Sequence, residues 1–393
     1  MSKDSERTTV RGTLLGDKTA SDIVIENGKV TGIRRAGHGR ANAGSAETII
    51  VPPLFDIQVN GYAGINLQGA KVTPEDVVLL NEKLAATGVA RWIPTLITGA
   101  QRDMEHGCAM LAEALRTEGL ARAIPGIHLE GPYISPEDGP RGAHARRHVR
   151  KPSLREFDRL QKAADGKIIY TTVAPEVPGA IGYIRTLARR GIVVALGHHG
   201  ADADTIRRAV DAGATLVTHL GNGIAAQINR HFNPIWPQLA DDRLTCSLIA
   251  DLHHLPVPVL QSFIRAKGAE RIVLTSDVVH IAGLKAGRYE LGGMPVDLSS
   301  NQRISLSGTE LLAGSALMLL QGVVNVFQHT HLSLAEAHVC ATAVPAKLFG
   351  LRERFDMPKA GKKAQFIAFD IDKTRKHWKT RIQAVYIRGQ RKA

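Results

Sequence analysis

Between residues 51 and 277, eight short apolar runs alternate with segments that can form amphipathic helices. The runs cover 51–60, 91–98, 123–130, 167–176, 191–199, 214–222, 244–251 and 271–277. Helical periodicity is clearest in the intervening segments that begin at Pro74 and Asp202. Parallel strands that are buried on both faces have continuous apolar sequences of this kind. Eight such units in series therefore predict an α/β fold, a (β/α)8 TIM-type barrel.

The two ends of the chain have a different pattern, with short strands and turns. Within residues 1–50, apolar residues alternate around Asn27-Gly28, a dipeptide that favours a tight β-hairpin. Near the C-terminus, residues 364–370 and 383–390 have the composition of further strands. Both ends are therefore predicted to be rich in β-structure.

The chain carries a formal net charge of +13, from 50 Lys and Arg against 37 Asp and Glu. Such an excess favours anionic ligands, whether phosphorylated metabolites, nucleic acid or a membrane surface. It is concentrated in residues 141–151 and in the tail that begins at Lys373. Neither cluster interleaves basic residues with several aromatic ones, as surfaces that stack single-stranded bases do. We therefore expect a small anionic substrate and no nucleic-acid partner.

Cysteine usage and the lack of long apolar runs indicate the compartment. Cys108, Cys246 and Cys340 are far apart and form no CxxC motif, which is typical of packing residues in a reducing compartment. The opening residues 1–12 lack the apolar stretch of a signal peptide, and no apolar run approaches the length of a membrane span. These features predict a cytoplasmic protein with no membrane partner.

Polar side chains collect at the C-terminal ends of the predicted strands, whereas the strand bodies are almost free of charge. Active sites of (β/α)8 barrels lie at these ends. The residues concerned are Asp56, Gln58, Asn60, Glu130, Glu176, His198, His199, His219, Asp251, His253, His254 and Asp277. Their distribution predicts a polar site at this end of the barrel.

Glu130 ends the third predicted strand, in the stretch GIHLEGPYIS, where a charged carboxylate is costly without a partner. A carboxylate and two imidazoles at separate strand ends suit a borderline cation such as Zn²⁺. Catalytic zinc usually has three protein ligands and one open position, and Glu130, His198 and His219 supply that number. Asp277, at the eighth strand, could take a proton from water and return it to a leaving group.

Each of these residues also has a purely structural interpretation. Glu130 could pair with Arg141, and Asp277 could cap the segment that follows it. A single strand-end histidine is more often a hydrogen-bonded core residue than a metal ligand. The occurrence of all four residues on strands three, five, six and eight favours the metal site.

For each of two pairs of adjacent histidines, the sequence does not decide which member points into the barrel mouth. Because side chains alternate along a strand, only one of His198 and His199 can point into the barrel mouth. Spacing does not choose between them, and His253 and His254 pose the same question.

These residues lie in motifs that resemble the amidohydrolase superfamily, and within it the N-acetylglucosamine-6-phosphate deacetylase family. The matching stretches are PPLFDIQVNG (52–61), GIHLEGPYIS (126–135), GAH (142–144), VAPE (173–176), GHHGAD (197–202), THLGNGI (218–224), IADLHHL (249–255), LTSD (274–277), LAGSAL (312–317) and PAKLFGL (345–351). They run nearly end to end, and the combination of HLEGP with a later GH and THL is the most specific part.

The resemblance implies a metal-dependent barrel over residues 51–345, capped by a small β-sandwich that residues 1–50 and 346–393 form together. It implies hydrolysis of the acetamide of N-acetylglucosamine 6-phosphate to glucosamine 6-phosphate and acetate. It also implies a homodimer, in which a loop from one subunit can complete the other's site.

The resemblance also assigns roles to single residues, and it selects His198 over His199 and His254 over His253. The site residues that it implies are Glu130, His198 and His219 for the metal, Asp277 as the catalytic aspartate, His254 on the acetyl carbonyl, and Asn222, Gly223, Arg230 and His144 around the sugar phosphate. Gln58 and Asn60 stand where many superfamily members have the His-x-His pair of a second metal site. We therefore expect one divalent cation, Zn²⁺, although Fe²⁺, Co²⁺ or Mn²⁺ also suits a Glu-His-His set.

The chain departs from the family motifs around the substrate rather than at the metal. The family's NAM after THL is NGI here, a family glycine is Leu252, and SDV followed by His280 replaces TDA. The loop at 142–151 lacks the family's Asn-Pro. Three alternatives therefore stay open: an amidohydrolase acting on a related N-acetyl amino-sugar phosphate or a cyclic amide, a sugar-phosphate binder with weak catalysis and, from the charge alone, a nucleic-acid-binding protein.

Overall fold

The structure is a computed structural model that describes residues 7–351, 355–374 and 376–393. Residues 1–6 of the opening segment, and Arg375 of the basic tail, lie outside the described residues. Among the described residues, no helix has both the length and the apolar character needed to cross a membrane.

Strands and helices alternate through most of the chain. The strands are β1 (Arg7–Leu14), β2 (Ala20–Glu26), β3 (Lys29–Arg35), β4 (Ala43–Val51), β5 (Leu54–Val59), β6 (Gly61–Tyr62), β7 (Ile65–Asn66), β8 (Val89–Ile97), β9 (Ile127–Glu130), β10 (Ile168–Val173), β11 (Val193–Leu196), β12 (Leu216–Val217), β13 (Thr245–Leu248), β14 (Ile272–Leu274), β15 (Gly287–Leu291), β16 (Met294–Leu298), β17 (Ile304–Leu306), β18 (Phe366–Asp372), β19 (Lys379–Ile387) and β20 (Gln390–Arg391). The α-helices are α1 (Pro74–Ala86), α2 (Gln101–Ala114), α3 (Leu120–Ala123), α4 (Leu154–Ala163), α5 (Ala180–Arg189), α6 (Ala203–Asp211), α7 (Ile235–Ala240), α8 (Val257–Lys267), α9 (Leu319–His329), α10 (Leu334–Val339) and α11 (Ala343–Leu348). Short 3₁₀ turns cover Arg146–His148 and Ala269–Arg271.

Eight strands form the barrel sheet, in the order β14-β13-β12-β11-β10-β9-β8-β5. Each of them overlaps one of the eight predicted apolar runs, so the barrel prediction is confirmed. The ring approaches closure where β5 meets the residues after β14, through a parallel bridge between Val59 and Val278 and a 2.8 Å hydrogen bond from Asn60 N to Val278 O. This closure brings the end of the first strand beside the end of the eighth.

A second, seven-stranded mixed sheet has the order β20-β19-β18-β4-β1-β2-β3 and therefore draws on both termini. Its tight hairpin turns at Asn27 and Gly28, with φ angles of 50° and 74°, as the dipeptide predicts. Apolar residues such as Val10, Ile23 and Phe366 are fully buried in its core. The expectation that both ends of the chain form β-structure together is confirmed.

The chain divides into two compact units. One comprises the described part of Met1–Phe55 with Glu82–Ala90 and Leu319–Ala393, and includes the seven-stranded sheet. The other comprises Asp56–Asn81 and Arg91–Met318 and carries the polar strand ends.

An antiparallel sheet of β15, β16 and β17 follows the eighth barrel strand and was not predicted from the sequence. Its first turn lies at Gly292-Gly293, a dipeptide that favours hairpins because both residues adopt positive φ, here 59° and 82°. The flanking strands alternate apolar and polar residues, with Tyr289 and Leu291 before the turn and Met294, Val296 and Leu298 after it, so the sequence carries a signal for this hairpin. The sheet forms part of the wall of the cavity described below.

Candidate active site

A cavity of about 440 Å³ opens at the C-terminal ends of the barrel strands. Its volume is within the range of small-molecule sites. The polar residues that line it include Asn60, Glu130, His144, His198, His219 and Asp277. Five of the strand ends predicted from the sequence therefore meet in one place, and the loop after β9 adds His144.

Three imidazoles surround the buried Glu130 carboxylate. Glu130 Oε1 lies 2.9 Å from His219 Nε2 and 3.1 Å from His198 Nε2. His144 Nε2 lies 3.2 Å from His198 Nε2, and the ligand atoms of Glu130, His144 and His198 all lie within 4.8 Å of one another. Two overlapping Glu-His-His sets are thus available. They share Glu130 and His198 and differ in His144 or His219.

The electrostatics of Glu130 suit a cation. Burial opposes its charged form, but the hydrogen bonds with His198 and His219 outweigh burial and hold the pKa of Glu130 well below its usual range. The carboxylate is therefore ionised. Arg141 is not its partner, because that guanidinium pairs with Asp138 and donates to His144 O at 2.7 Å. A buried anion among imidazole nitrogens is the donor set that holds a divalent metal, so these residues form a potential metal-binding site.

The backbone turns His198 and His199 to different sides. His198 has a φ of 53°, and its Nδ1 hydrogen-bonds to Pro140 O at 2.9 Å, which directs Nε2 toward Glu130. His199 faces away from the cavity, with its Nε2 3.2 Å from Gln238 Oε1. Orienting a histidine through a carbonyl bonded to its second ring nitrogen is common at metal sites.

Asp277 shares hydrogen-bond donors with Glu130. Gln58 Nε2 donates to Asp277 Oδ1 and to Glu130 Oε1, both at 3.0 Å, and Asn60 Nδ2 donates to Asp277 Oδ1 at 2.7 Å. Burial, followed by repulsion from Glu130, raises the pKa of Asp277 to about 7. A carboxyl group with this pKa can accept and release a proton near neutral pH.

Asp56 supports the turn that carries Asp277, a role that the sequence did not reveal. Its Oδ1 accepts hydrogen bonds from Thr275 Oγ1 at 2.8 Å, from Ser276 N at 3.1 Å and from Gln58 N at 3.3 Å. Burial raises the pKa of Asp56. The group thus ties the end of β5 to the residues that follow β14.

His254 lines the cavity, whereas His253 points elsewhere. His254 Nδ1 lies 2.7 Å from Asp251 Oδ2, and His253 Nε2 lies 3.1 Å from Asn301 O. Burial opposes ionisation of Asp251, but the His254 imidazole outweighs it and lowers the pKa of Asp251. The contact with Asp251 orients the His254 ring, and with both ring nitrogens protonated Nε2 can donate to a substrate oxygen.

The residues suggested for the sugar phosphate separate into two groups. Asn222, Gly223 and His144 line the cavity. Arg230 is exposed and is not part of its lining. Glu176, a strand-end residue without a predicted role, accepts a hydrogen bond from Gly200 N at 2.8 Å beside a different cavity. Among the described residues, no Lys or Arg lines the main cavity.

An apolar wall completes the cavity and was missed in the sequence. It includes Ile224 in the loop after β12, Ile249 after β13, and Leu291, Leu311 and Leu312 around the β15–β17 sheet. The Gly292-Gly293 turn signal was the feature that could have located part of this wall.

Comparisons with known proteins match the chain over most of its length. An amidohydrolase family model matches residues 49–392. N-acetylgalactosamine-6-phosphate deacetylase from Escherichia coli O157:H7 is 31% identical, with 87% of each chain covered. N-acetylglucosamine-6-phosphate deacetylase from Vibrio furnissii is 29% identical, with 92% of this chain and 91% of the relative covered.

Solved structures give the same picture. N-acetyl-D-glucosamine-6-phosphate deacetylase from Mycobacterium smegmatis superimposes with a TM-score of 0.81 at 27% identity, covering 98% of this chain and 99% of the other. A mutant of that enzyme in complex with N-acetyl-D-glucosamine-6-phosphate has the same TM-score and coverage at 26% identity.

Proposed function

Because this chain belongs to the amidohydrolase family, we propose that it is a metal-dependent deacetylase that converts N-acetylglucosamine 6-phosphate to glucosamine 6-phosphate and acetate. The observation that carries the proposal is the convergence of His198 and His219 on Glu130, with Asp277 joined to the same carboxylate through the Gln58 amide. Relatives that share about 30% of their residues with this chain are named as deacetylases of amino-sugar phosphates, which supports the substrate class.

The residues present fit one divalent cation. Glu130, His198 and His219 would hold it, with His144 as the competing imidazole, and Zn²⁺ suits this mixture of oxygen and nitrogen donors. Fe²⁺, Co²⁺ and Mn²⁺ suit it as well. When bound, the cation supplies a lowered pKa for water and polarises the acetamide carbonyl. Gln58 and Asn60 contribute amides rather than imidazoles, which supports a single cation.

Asp277 would move the proton that hydrolysis requires. Its carboxylate accepts a proton from the attacking water and gives it to the departing nitrogen. The C–N bond then breaks to leave an amine and acetate. In the metal-free protein, burial raises the pKa of Asp277 to about 7, and a carboxyl group raised toward neutrality can both accept and release a proton.

His254 would stabilise the charge that develops on the carbonyl oxygen. It lines the cavity and is oriented by Asp251 through the 2.7 Å contact at Nδ1. Removing one such donor from an oxyanion site typically costs about 2.7–4 kcal/mol of transition-state stabilisation. The pair is thus the second catalytic element of the site after Asp277.

The phosphate would be bound by the backbone around Asn222 and Gly223 and by a cation from a second copy of this chain. No Lys or Arg in the described part of the chain lines the cavity, and Arg230 lies outside it. Arg230 and Phe232 lie in the loop before α7, and Trp236 in the first turn of that helix donates to Arg230 O at 2.9 Å; the two aromatic residues are 86% and 51% exposed. Exposed aromatics of this size are typical of an interface. A homodimer would cover them and could bring Arg230 to the partner's substrate.

A cytoplasmic location is also part of the proposal. Cys108, Cys246 and Cys340 are free and buried, and no pair of them forms a disulfide. Unpaired buried thiols are typical of proteins in a reducing compartment.

The 4-epimer is the second candidate substrate. The E. coli relative at 31% identity is named as an N-acetylgalactosamine-6-phosphate deacetylase. The two sugars differ only in the orientation of one hydroxyl group, which the metal and the proton carrier do not contact. An amidohydrolase of either specificity would therefore use the same chemistry.

A panel of four compounds tests the proposal. Metal-loaded protein is incubated with N-acetylglucosamine 6-phosphate, its galacto epimer, unphosphorylated N-acetylglucosamine and a cyclic amide, and acetate or ring opening is measured. The proposal expects the highest kcat/KM with N-acetylglucosamine 6-phosphate. A higher kcat/KM with the epimer or the cyclic amide would identify that compound as the substrate instead. Tight binding without turnover would indicate a sugar-phosphate binder.

A further inference from the structure

Asn60 carries a buried oxygen atom that nothing among the described residues satisfies. Its side-chain amide donates from Nδ2 to Asp277 Oδ1 at 2.7 Å, but Oδ1 has no hydrogen-bond partner. The residue lines the cavity and is only 5% exposed. An unsatisfied buried carbonyl is destabilising, and such groups in folded proteins usually serve a ligand or a water molecule.

The orientation of this amide is set by its neighbours. With Asp277 ionised, reversing the amide would place two oxygen atoms 2.7 Å apart, which is repulsive. The backbone is also fixed, because Asn60 N donates to Val278 O at 2.8 Å and Asn60 O accepts from Leu67 N at 3.2 Å. Asn60 therefore presents its oxygen as an acceptor beside Asp277.

We propose that Asn60 Oδ1 accepts a hydrogen bond from the N–H of the bond that is cleaved, an inference that rests on the proposed deacetylase function. Asp277 must come within hydrogen-bond reach of the departing nitrogen in order to protonate it. Asn60 is hydrogen-bonded to Asp277 Oδ1, so a departing nitrogen within reach of Asp277 also lies close to Asn60. Its N–H points to Asn60, and its lone pair is then free to take the proton from Asp277.

Each hydrogen is accounted for in this step. Water adds to the carbonyl carbon and loses one proton to Asp277. The nitrogen keeps its own hydrogen, held by Asn60, and gains the proton from Asp277 as the C–N bond breaks. Asn60 neither gains nor loses a proton, so it is a substrate-contacting residue that orients the leaving group.

The contact makes Asn60 a determinant of selectivity for amides over esters. The leaving oxygen of an ester carries no hydrogen until it is protonated, so Asn60 Oδ1 stays unpaired when an ester is bound. The N–H of a bound amide would donate a hydrogen bond to this oxygen. Sites that are built to bond an N–H reject analogues that lack it, because the buried acceptor is then left without a partner.

Gln58 provides a matched control. It also donates to Asp277 Oδ1, at 3.0 Å, and its own oxygen is likewise buried and unpaired. Gln58 is fully buried, however, and is not part of the cavity lining. Its loss should disturb Asp277 as the loss of Asn60 does, without removing a contact to the substrate.

The experiment compares Asn60→Ala and Gln58→Ala on N-acetylglucosamine 6-phosphate and on its ester counterpart, 2-O-acetylglucose 6-phosphate. Both variants should lose activity on both compounds through Asp277. The amide-to-ester ratio of kcat/KM should fall about tenfold in Asn60→Ala, the value of one hydrogen bond, and stay unchanged in Gln58→Ala. Asn60→Leu, which removes the same oxygen but fills the space of the side chain, should show the same fall in the ratio even if Asn60→Ala fails to fold.

Binding gives a readout that does not depend on turnover. Calorimetry on metal-loaded protein compares glucosamine 6-phosphate, which keeps the nitrogen, with 2-deoxyglucose 6-phosphate, which lacks a donor there. Wild type should prefer the amine, and Asn60→Ala should lose part of that preference. An unchanged amide-to-ester ratio in Asn60→Ala or in Asn60→Leu overturns the inference. Wild type that cleaves neither compound contradicts the proposed function instead, and the binding preference then decides the role of Asn60 alone.

Discussion

Glu130 Oε1 and His219 Nε2 lie 2.9 Å apart although 89 residues separate them in the sequence. Strand order accounts for the approach, because the barrel directs the C-terminal ends of all its strands to one mouth. His198 reaches the same oxygen from another strand end, at 3.1 Å. In the metal-free protein, two imidazole nitrogens therefore already contact this carboxylate oxygen.

Removal of the Glu130 charge should abolish metal binding. Glu130→Gln keeps the shape of the side chain but removes the anion that compensates the cation, so metal content measured by mass spectrometry should fall to background and activity with it. Glu176→Gln is the control, since Glu176 is a strand-end glutamate that accepts from Gly200 N outside the cavity. Stoichiometric metal in Glu130→Gln would contradict the site.

The two overlapping ligand sets can be separated by one pair of variants. If Glu130, His198 and His219 hold the metal, His219→Asn should weaken metal affinity by more than the roughly 10–100-fold typical of losing an orienting partner, while His144→Asn should stay nearly stoichiometric. Metal titration against a competing chelator measures both. The reverse order of affinities would assign His144 to the metal in place of His219.

His254 and its neighbour offer a test of oxyanion stabilisation. His254→Ala should lower kcat by about 10²–10³-fold, because it removes a donor aimed at the developing charge. His253→Ala should leave kcat close to that of wild type, since its ring contacts Asn301 O instead. Metal content should be unchanged in both. Equal losses in the two variants would show that the effect is structural.

Stability of the metal-free protein should depend on pH through Asp277. Its pKa is raised from 3.8 to about 7, so between these values the folded protein holds a proton that the unfolded chain has lost. The contribution is fully present below the lower value and is lost as pH rises through the higher one, by up to about 4 kcal/mol. Urea unfolding of wild type and Asp277→Asn across this range should show the difference shrinking as pH rises. A difference that grows with pH would contradict the raised pKa.

Arg230 can be tested for action across a dimer interface by mixing inactive variants. If Arg230 binds the phosphate in the partner's site, Arg230→Ala and Asp277→Asn should each be nearly inactive, and mixed dimers should regain one working site of two. The aromatic residues beside it predict that Phe232→Ser lowers the dimer affinity in sedimentation experiments, since its side chain is 86% exposed in the single chain. Mixtures without recovery would place the phosphate-binding cation within one chain.

The barrel could be predicted because its strands lie in continuous apolar runs, most of which end in polar residues, and that pattern depends only on local sequence. The choice of His198 over His199 could not be made from strand alternation, because His198 leaves the strand conformation with a φ of 53°. Asp56 gave no signal of its role, since its partners Thr275 and Ser276 lie more than 200 residues away.

The position of His144 also depends on contacts that are distant in the sequence. Its sequence context suggested a contact with the anion, whereas its Nε2 lies 3.2 Å from His198 Nε2. Burial, with His198 next, lowers the pKa of His144 to about 3, so the ring is neutral and is a donor that a metal can use. Long-range packing of a loop decides this placement, and no periodicity in the sequence encodes it.

The most direct test of the account measures acetate release from N-acetylglucosamine 6-phosphate by protein loaded with one equivalent of Zn²⁺, beside metal-free protein and Asp277→Asn. The account predicts that acetate and glucosamine 6-phosphate form in equal amounts, and only when both the metal and Asp277 are present. Undiminished acetate release from Asp277→Asn, or none from fully metal-loaded wild type, would contradict it.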